Sequence, residues 1–136
     1  MVRQENLSAK IEQVERYLKL IEPFRPCDIE ELKKNPERLA AAERFIYLIC
    51  QSMIEAAEIY CKLSNFQRPE TMSESFERIH EHGIISEQLC RSLVAMVGFR
   101  NALAHAYDKF NYAILADVLN NKLSDIREFI GKMRDN

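Results

Sequence analysis

The sequence predicts an all-α fold: an antiparallel helical bundle of four main helices plus a short one, in a single domain spanning residues 1–136. Three observations carry this. Apolar residues recur at three- and four-residue intervals through four stretches, the period of a helix with one buried face. These stretches open on residues suited to helix starts, among them Asn35 before Pro36, Thr71 three before Glu74, Ser86 and Asn111. Only three Gly and four Pro in 136 residues leave few turns for a many-stranded sheet.

The first helix is set by Ile11, Val14, Leu18 and Ile21 and ends before Pro23, whose ring does not continue it. The segment "PFRPCDIEELKKNP", 23–36, reads as a connector with room for a short helical turn. Asn35 then caps the second helix and Pro36 takes its first position, where a missing N–H is harmless. From there Leu39, Ala42, Ile46, Ile49, Met53, Ala56 and Tyr60 keep the three-four spacing through about seven turns, so this helix is the spine. "KLSNFQRPETMSES" breaks the pattern. Thr71 and Glu74 have the capping-box spacing and start a short third helix that runs to about His82, with Gly83 available for a left-handed C-terminal turn. Ser86 caps the fourth helix, whose buried stripe is Leu89, Leu93, Met96, Val97 and Ala104. Asn111 caps the last, with Leu115, Val118, Leu123, Ile126, Phe129, Ile130 and Met133 facing one way. Phe45, Tyr47 and Leu48 fall outside the main stripe of the second helix, so a homodimer through it or through the fourth is expected.

A formal charge of -2 and a pI near 6.0 exclude a global field for nucleic acid or membrane surfaces. Any phosphate must be held by a local patch. No stretch approaches the roughly 18 apolar residues of a membrane span. The charged N-terminus is unlike a signal peptide, so a cytoplasmic protein without membrane contact is expected. Cys27, Cys50, Cys61 and Cys90 show no C-x-x-C pair and no His at ligand spacing. They read as reduced thiols packed on helices, and neither metal nor cofactor is expected.

The stretch "GFRNALAHAYDKF", 98–110, stands out because an arginine, an asparagine, a histidine and a tyrosine are all costly to bury unpaired. With Arg100 at zero and about 100° per residue, Asn101 falls near 100°, His105 near 140° and Tyr107 near -20°, within one half of the helix surface. Asn101 and His105, four apart, come within reach of a hydrogen bond, while Arg100 and Tyr107 line up two turns apart. A guanidinium holds phosphate by two hydrogen bonds, and imidazole moves protons at neutral pH. That pair suits phosphodiester cleavage without metal: histidine takes the 2'-hydroxyl proton or supplies one to the departing 5'-oxygen, and arginine offsets charge on the phosphorus oxygens. One histidine does not readily serve as both base and acid, so a site shared by two chains meets the need. The same residues also fit a structural role, capping carbonyls, complementing the helix dipole or pairing with Asp108. Spacing alone leaves both open.

His80 and His82 in "HEH" diverge by about 200° on a helix and point to solvated surface or helix-end pairing, not to a shared metal. Tyr47, Tyr60 and Phe66 read as core or interface aromatics before base-stacking platforms.

The run "RNALAHAY", preceded by "MVGFRN" and followed through "YDKFN", resembles the Arg-x4-His-x-Tyr motif of HepT-like toxins, in the higher eukaryotes and prokaryotes nucleotide-binding (HEPN) superfamily. The order of helices along most of the chain is similar too. The resemblance implies a ribonuclease toxin, acting on RNA such as tRNA, that is an all-helical homodimer with its two motifs meeting in an interface cleft. It implies that Arg100 and His105 are catalytic and that Asn101 supports the orientation of the histidine. It also implies that Tyr107 is the regulatory position, to which a minimal nucleotidyltransferase antitoxin transfers AMP. An attached AMP would add negative charge where substrate phosphate must bind. Two other readings stand beside it: a non-catalytic module whose cleft binds a nucleotide or docks a nucleotidyltransferase, and a helical scaffold in which the motif is structural.

Overall fold

The computed structural model describes residues 2–105 and 110–135, and among these every regular element is helical. Helix α1 spans Val2–Ile21 and passes through a 3-10 turn, Glu22–Phe24, towards α2, Ile29–Lys33. Then come α3, Pro36–Leu63, α4, Met72–Glu81, and α5, Glu87–His105. The chain closes with α6, Tyr112–Asp117, a π turn, Val118–Lys122, and α7, Leu123–Asp135.

Side chains next to each start satisfy amides that the helix itself leaves free. Asp28 accepts from the amides of Glu30 and Glu31 at the head of α2. Asn35 accepts from Arg38 N at 3.2 Å, with Pro36 in the first turn of α3. Thr71 Oγ1 accepts from Glu74 N at 3.2 Å, but the Glu74 carboxylate reaches back to Glu70 N, one residue before the cap. Ser86 accepts from Leu89 N and Asn111 from Ala113 N, so the expected caps are in place. Gly83 adopts φ +76°, the left-handed turn for which its missing Cβ suits it.

The final segment departs from the single regular helix that its apolar spacing predicts. The π turn splits it, and the reason lies across the molecule. Leu119 O accepts from Arg25 Nε at 2.7 Å, and the Asn120 amide bonds both backbone groups of Cys27. A wider turn thus presents polar groups to the connector, while Leu115, Val118, Leu119, Leu123 and Ile126 stay buried. The connector itself holds α2 as a true, though five-residue, helix. Cys27 lies there, half-buried and off any helix, contrary to expectation; Cys50, Cys61 and Cys90 are buried in helices, and all four are free thiols.

At 1.5 Å per residue, α3 is about 42 Å long. It touches α1, α2, α4, α5 and α7, as a spine must. Its Ile46, Ile49, Met53, Ile54, Ala57 and Tyr60 join one continuous hydrophobic core with α1, α4, α5 and α7, in which Phe76 and Phe129 meet edge-on at 5.3 Å. Each large apolar side chain so buried contributes roughly 1.5–3 kcal/mol. Phe45 and Leu48 are half-buried, and Phe45 meets Phe24 edge-on within the same chain. Among the described residues no helix is long and apolar enough to cross a membrane.

Candidate active site

The C-terminal end of α5 lies beside the middle of α3, and Arg100 bridges the two. Its Nε donates to Gln51 Oε1 at 2.8 Å, its Nη2 to Tyr47 OH at 3.1 Å, and its Nη1 to Asn101 Oδ1 at 2.9 Å. The guanidinium carbon is also 5.2 Å from the Tyr47 ring centroid, which adds a cation–π attraction. All three acceptors are uncharged. Arg78, Arg91, Arg127 and Arg134 each sit instead on a glutamate. Arg100 has no ion pair among the described residues.

The orientation of Gln51 is itself fixed from below. Its Nε2 donates to Glu55 Oε2 at 3.3 Å, and Glu55 pairs with Lys10 of α1 at 2.8 Å. A carboxylate only accepts, so the amide nitrogen must face Glu55 and the amide oxygen is left for Arg100.

Arg100 is half-buried, whereas Asn101 and His105 are exposed. Helical spacing brings Asn101 within reach of His105, yet its side chain bonds Arg100, and no hydrogen bond joins Asn101 to His105 among the described residues. The motif is thus less of a single arc than its angles indicate: the arginine turns back onto α3 and the imidazole stands in solvent. Tyr107 and Asp108 lie outside the described residues.

A groove of 420 Å³ runs alongside, lined by Ala40, Glu43, Arg44, Tyr47, Leu103 and Ala104. Arg44 also lies against the Tyr47 ring, at 5.5 Å from its centroid. Glu43 is engaged by Tyr112, whose phenol is pushed above its usual range by burial and then by that carboxylate. Cys50, next to Gln51, is fully buried; burial pushes its thiol up to about 12, offset only in part by the charge on Arg100. It stays protonated at neutral pH and is no nucleophile.

Tyr47 and Gln51 are the site residues that the motif alone does not reveal. Reading Tyr47 as a core or interface aromatic accounts for its ring but not for its hydroxyl. The available signal is spacing: Tyr47, Gln51 and Glu55 stand four apart, a polar ridge along one face of an otherwise apolar helix. The other singled-out residues lie elsewhere. His80 Nδ1 is 2.9 Å from Ile85 O, while His82 stacks on Phe66 at 3.7 Å, so the two imidazoles serve separate contacts. Phe66 also meets Tyr60 edge-on at 6.1 Å. Among the described residues no three His, Cys, Asp or Glu side chains are grouped to hold a metal ion.

Comparison with known proteins finds relatives of the chain and of its fold. The mRNA nuclease HepT of Shewanella oneidensis is 28% identical over 81 residues, 60% of this chain and 61% of that protein. The match therefore spans less than two thirds of that relative. The tRNA nuclease HepT of Aphanizomenon flos-aquae is 24% identical over 102 residues, 75% of this chain and 69% of that one. A solved structure of a tri-AMPylated Shewanella oneidensis HEPN toxin in complex with an MNT antitoxin has the same fold, with a TM-score of 0.87 at 23% identity over 96% of this chain and 97% of that one. The model of the family described as ribonuclease HepT-like matches residues 14–133, from the first helix through the motif to the last; the chain belongs to that family.

Proposed function

We propose that this chain is the toxin of a toxin–antitoxin pair, a metal-independent endoribonuclease that acts as a cytoplasmic homodimer of antiparallel helical bundles. One observation carries the reading: an exposed imidazole, His105, follows on the same helix a guanidinium that is anchored yet not neutralised. Arg100 holds the scissile phosphate and offsets the charge that grows on its oxygens. His105 takes the proton from the 2'-hydroxyl; the 2'-oxygen then bonds to phosphorus, the bond to the 5'-oxygen breaks, and that oxygen needs a proton from an acid. Along one helix Arg100 and His105 diverge by about 140° and are offset by roughly 7.5 Å. A second copy supplies the second imidazole and closes the site from the other side.

Asn101 keeps a supporting role, exerted through its bond to Arg100. The AMPylated HEPN toxin with its MNT antitoxin supports AMP addition as the regulation and a minimal nucleotidyltransferase as the partner, with Tyr107, the motif tyrosine, as the acceptor in our reading. The nuclease relatives support mRNA or tRNA as substrate.

The test is cleavage of a tRNA pool and of an mRNA by purified protein in the presence of EDTA. Fragments are expected from the wild type and none from His105→Ala, with melting unchanged because His105 is exposed. Undiminished cleavage by His105→Ala would overturn the assignment. A protein that cleaves nothing yet binds a nucleotidyltransferase tightly would be a docking subunit instead.

A further inference from the structure

We infer that Gln51 and Tyr47 are positioning residues, which fix the Arg100 guanidinium through uncharged oxygens and so keep its full charge for an RNA phosphate. The inference rests on the nuclease site proposed above.

Arginine carries five N–H donors. Three are committed, to Gln51, Tyr47 and Asn101, which leaves one on Nη1 and one on Nη2. Each terminal nitrogen thus keeps one N–H to offer a phosphate oxygen. Anchoring the side chain before substrate arrives removes rotamer freedom that binding would otherwise have to freeze. A carboxylate would anchor it as firmly, but would cancel the charge and compete with the phosphate. The protein has such a carboxylate close by and keeps it off the arginine. Glu55 pairs with Lys10 and turns its other oxygen to the Gln51 amide, so what touches Arg100 is the neutral amide oxygen and not the carboxylate. Tyr47 repeats the device, with a phenol oxygen for Nη2 and a ring against the cation.

The experiment compares wild type, Gln51→Ala and Gln51→Glu. Three readouts are taken: kcat and KM on a short RNA, fluorescence anisotropy of a labelled, uncleavable 2'-deoxy oligonucleotide across a salt series, and thermal melting. Gln51→Glu gains an ion pair with Arg100 but sets a second carboxylate against Glu55, where the Gln51 amide now donates at 3.3 Å, so a folded protein melting near the wild-type temperature is expected. It should nonetheless lose at least about tenfold in kcat/KM, the scale of one charge-assisted hydrogen bond. Its oligonucleotide affinity should fall too, with a salt slope shallower by about 0.7, one counterion's worth on a single strand. Gln51→Ala, which loosens the arginine but leaves it charged, should fall less and keep the wild-type slope. Tyr47→Phe should resemble Gln51→Ala.

A structural role predicts the reverse order, because glutamate restores an acceptor and alanine does not. Wild-type activity and affinity in Gln51→Glu, or a larger loss in Gln51→Ala, would overturn the inference. A wild type that binds the oligonucleotide without cleaving RNA, and loses that binding in Gln51→Glu, would defeat the nuclease reading and leave this one standing. A wild type that does neither defeats both.

Discussion

Asn120 grips the backbone of Cys27 with both ends of its amide, accepting from Cys27 N at 2.7 Å and donating to Cys27 O at 3.0 Å. The two residues are 93 positions apart, and the contact ties the α1–α2 connector to the π turn. Replacing Asn120 by Ala leaves both Cys27 groups without these partners in a half-buried place. A loss of about 1–3 kcal/mol is expected, read as a lower urea midpoint at unchanged slope. A midpoint equal to that of the wild type would mean that water takes over the amide's work.

Alkaline stability follows from the buried thiols. Burial pushes Cys50 up to about 12 and Cys61 up to about 11, against 9.0 for an ordinary thiol. Because the folded values lie above the unfolded one, the stabilisation is whole below pH 9 and is lost as pH rises through 11 to 12. Between those limits the unfolded chain has released protons that the folded chain still holds. Unfolding free energy should therefore fall from pH 9 upward, by up to about 1.4 kcal/mol per pH unit for each thiol. Cys50→Ala should be less stable at pH 7 but should show a shallower decline between pH 9 and 11. Parallel curves for the two proteins would rule out Cys50 as a source of the slope.

Two glycines make a matched pair. A Cβ added at Gly83 or at Gly131 meets nothing within 4 Å, so packing is the same in both. The backbone is not. Gly83 stands at φ +76°, and Gly83→Ala should destabilise by roughly 1–2 kcal/mol. Gly131 lies within α7, where alanine is favoured by roughly 0.5–1 kcal/mol. Thermal melting of the two variants should move in opposite directions; a stabilising Gly83→Ala would contradict the conformation assigned to that turn.

The sequence by itself determined where the helices lie and how most of them begin. Periodicity and capping are local: Ile46, Ile49 and Met53 must share a face, and Asn35 can reach only the amides that follow it. It also located the motif on the end of a helix, because Arg100, Asn101 and His105 are near neighbours along the chain. The tertiary structure decided what those residues touch. Arg100 meets Gln51 and Tyr47 across 49 and 53 positions, and that pairing captures Asn101 as well. The π turn and the hold of Asn120 on Cys27 were equally hidden, since both depend on contacts between segments some 93 positions apart. The physical reason is common to all of them. A repeat of apolar residues fixes which side of a helix is buried, but the rotation and axial offset of one helix against another are set by the packing of the whole core, and only that register chooses each polar side chain's partner.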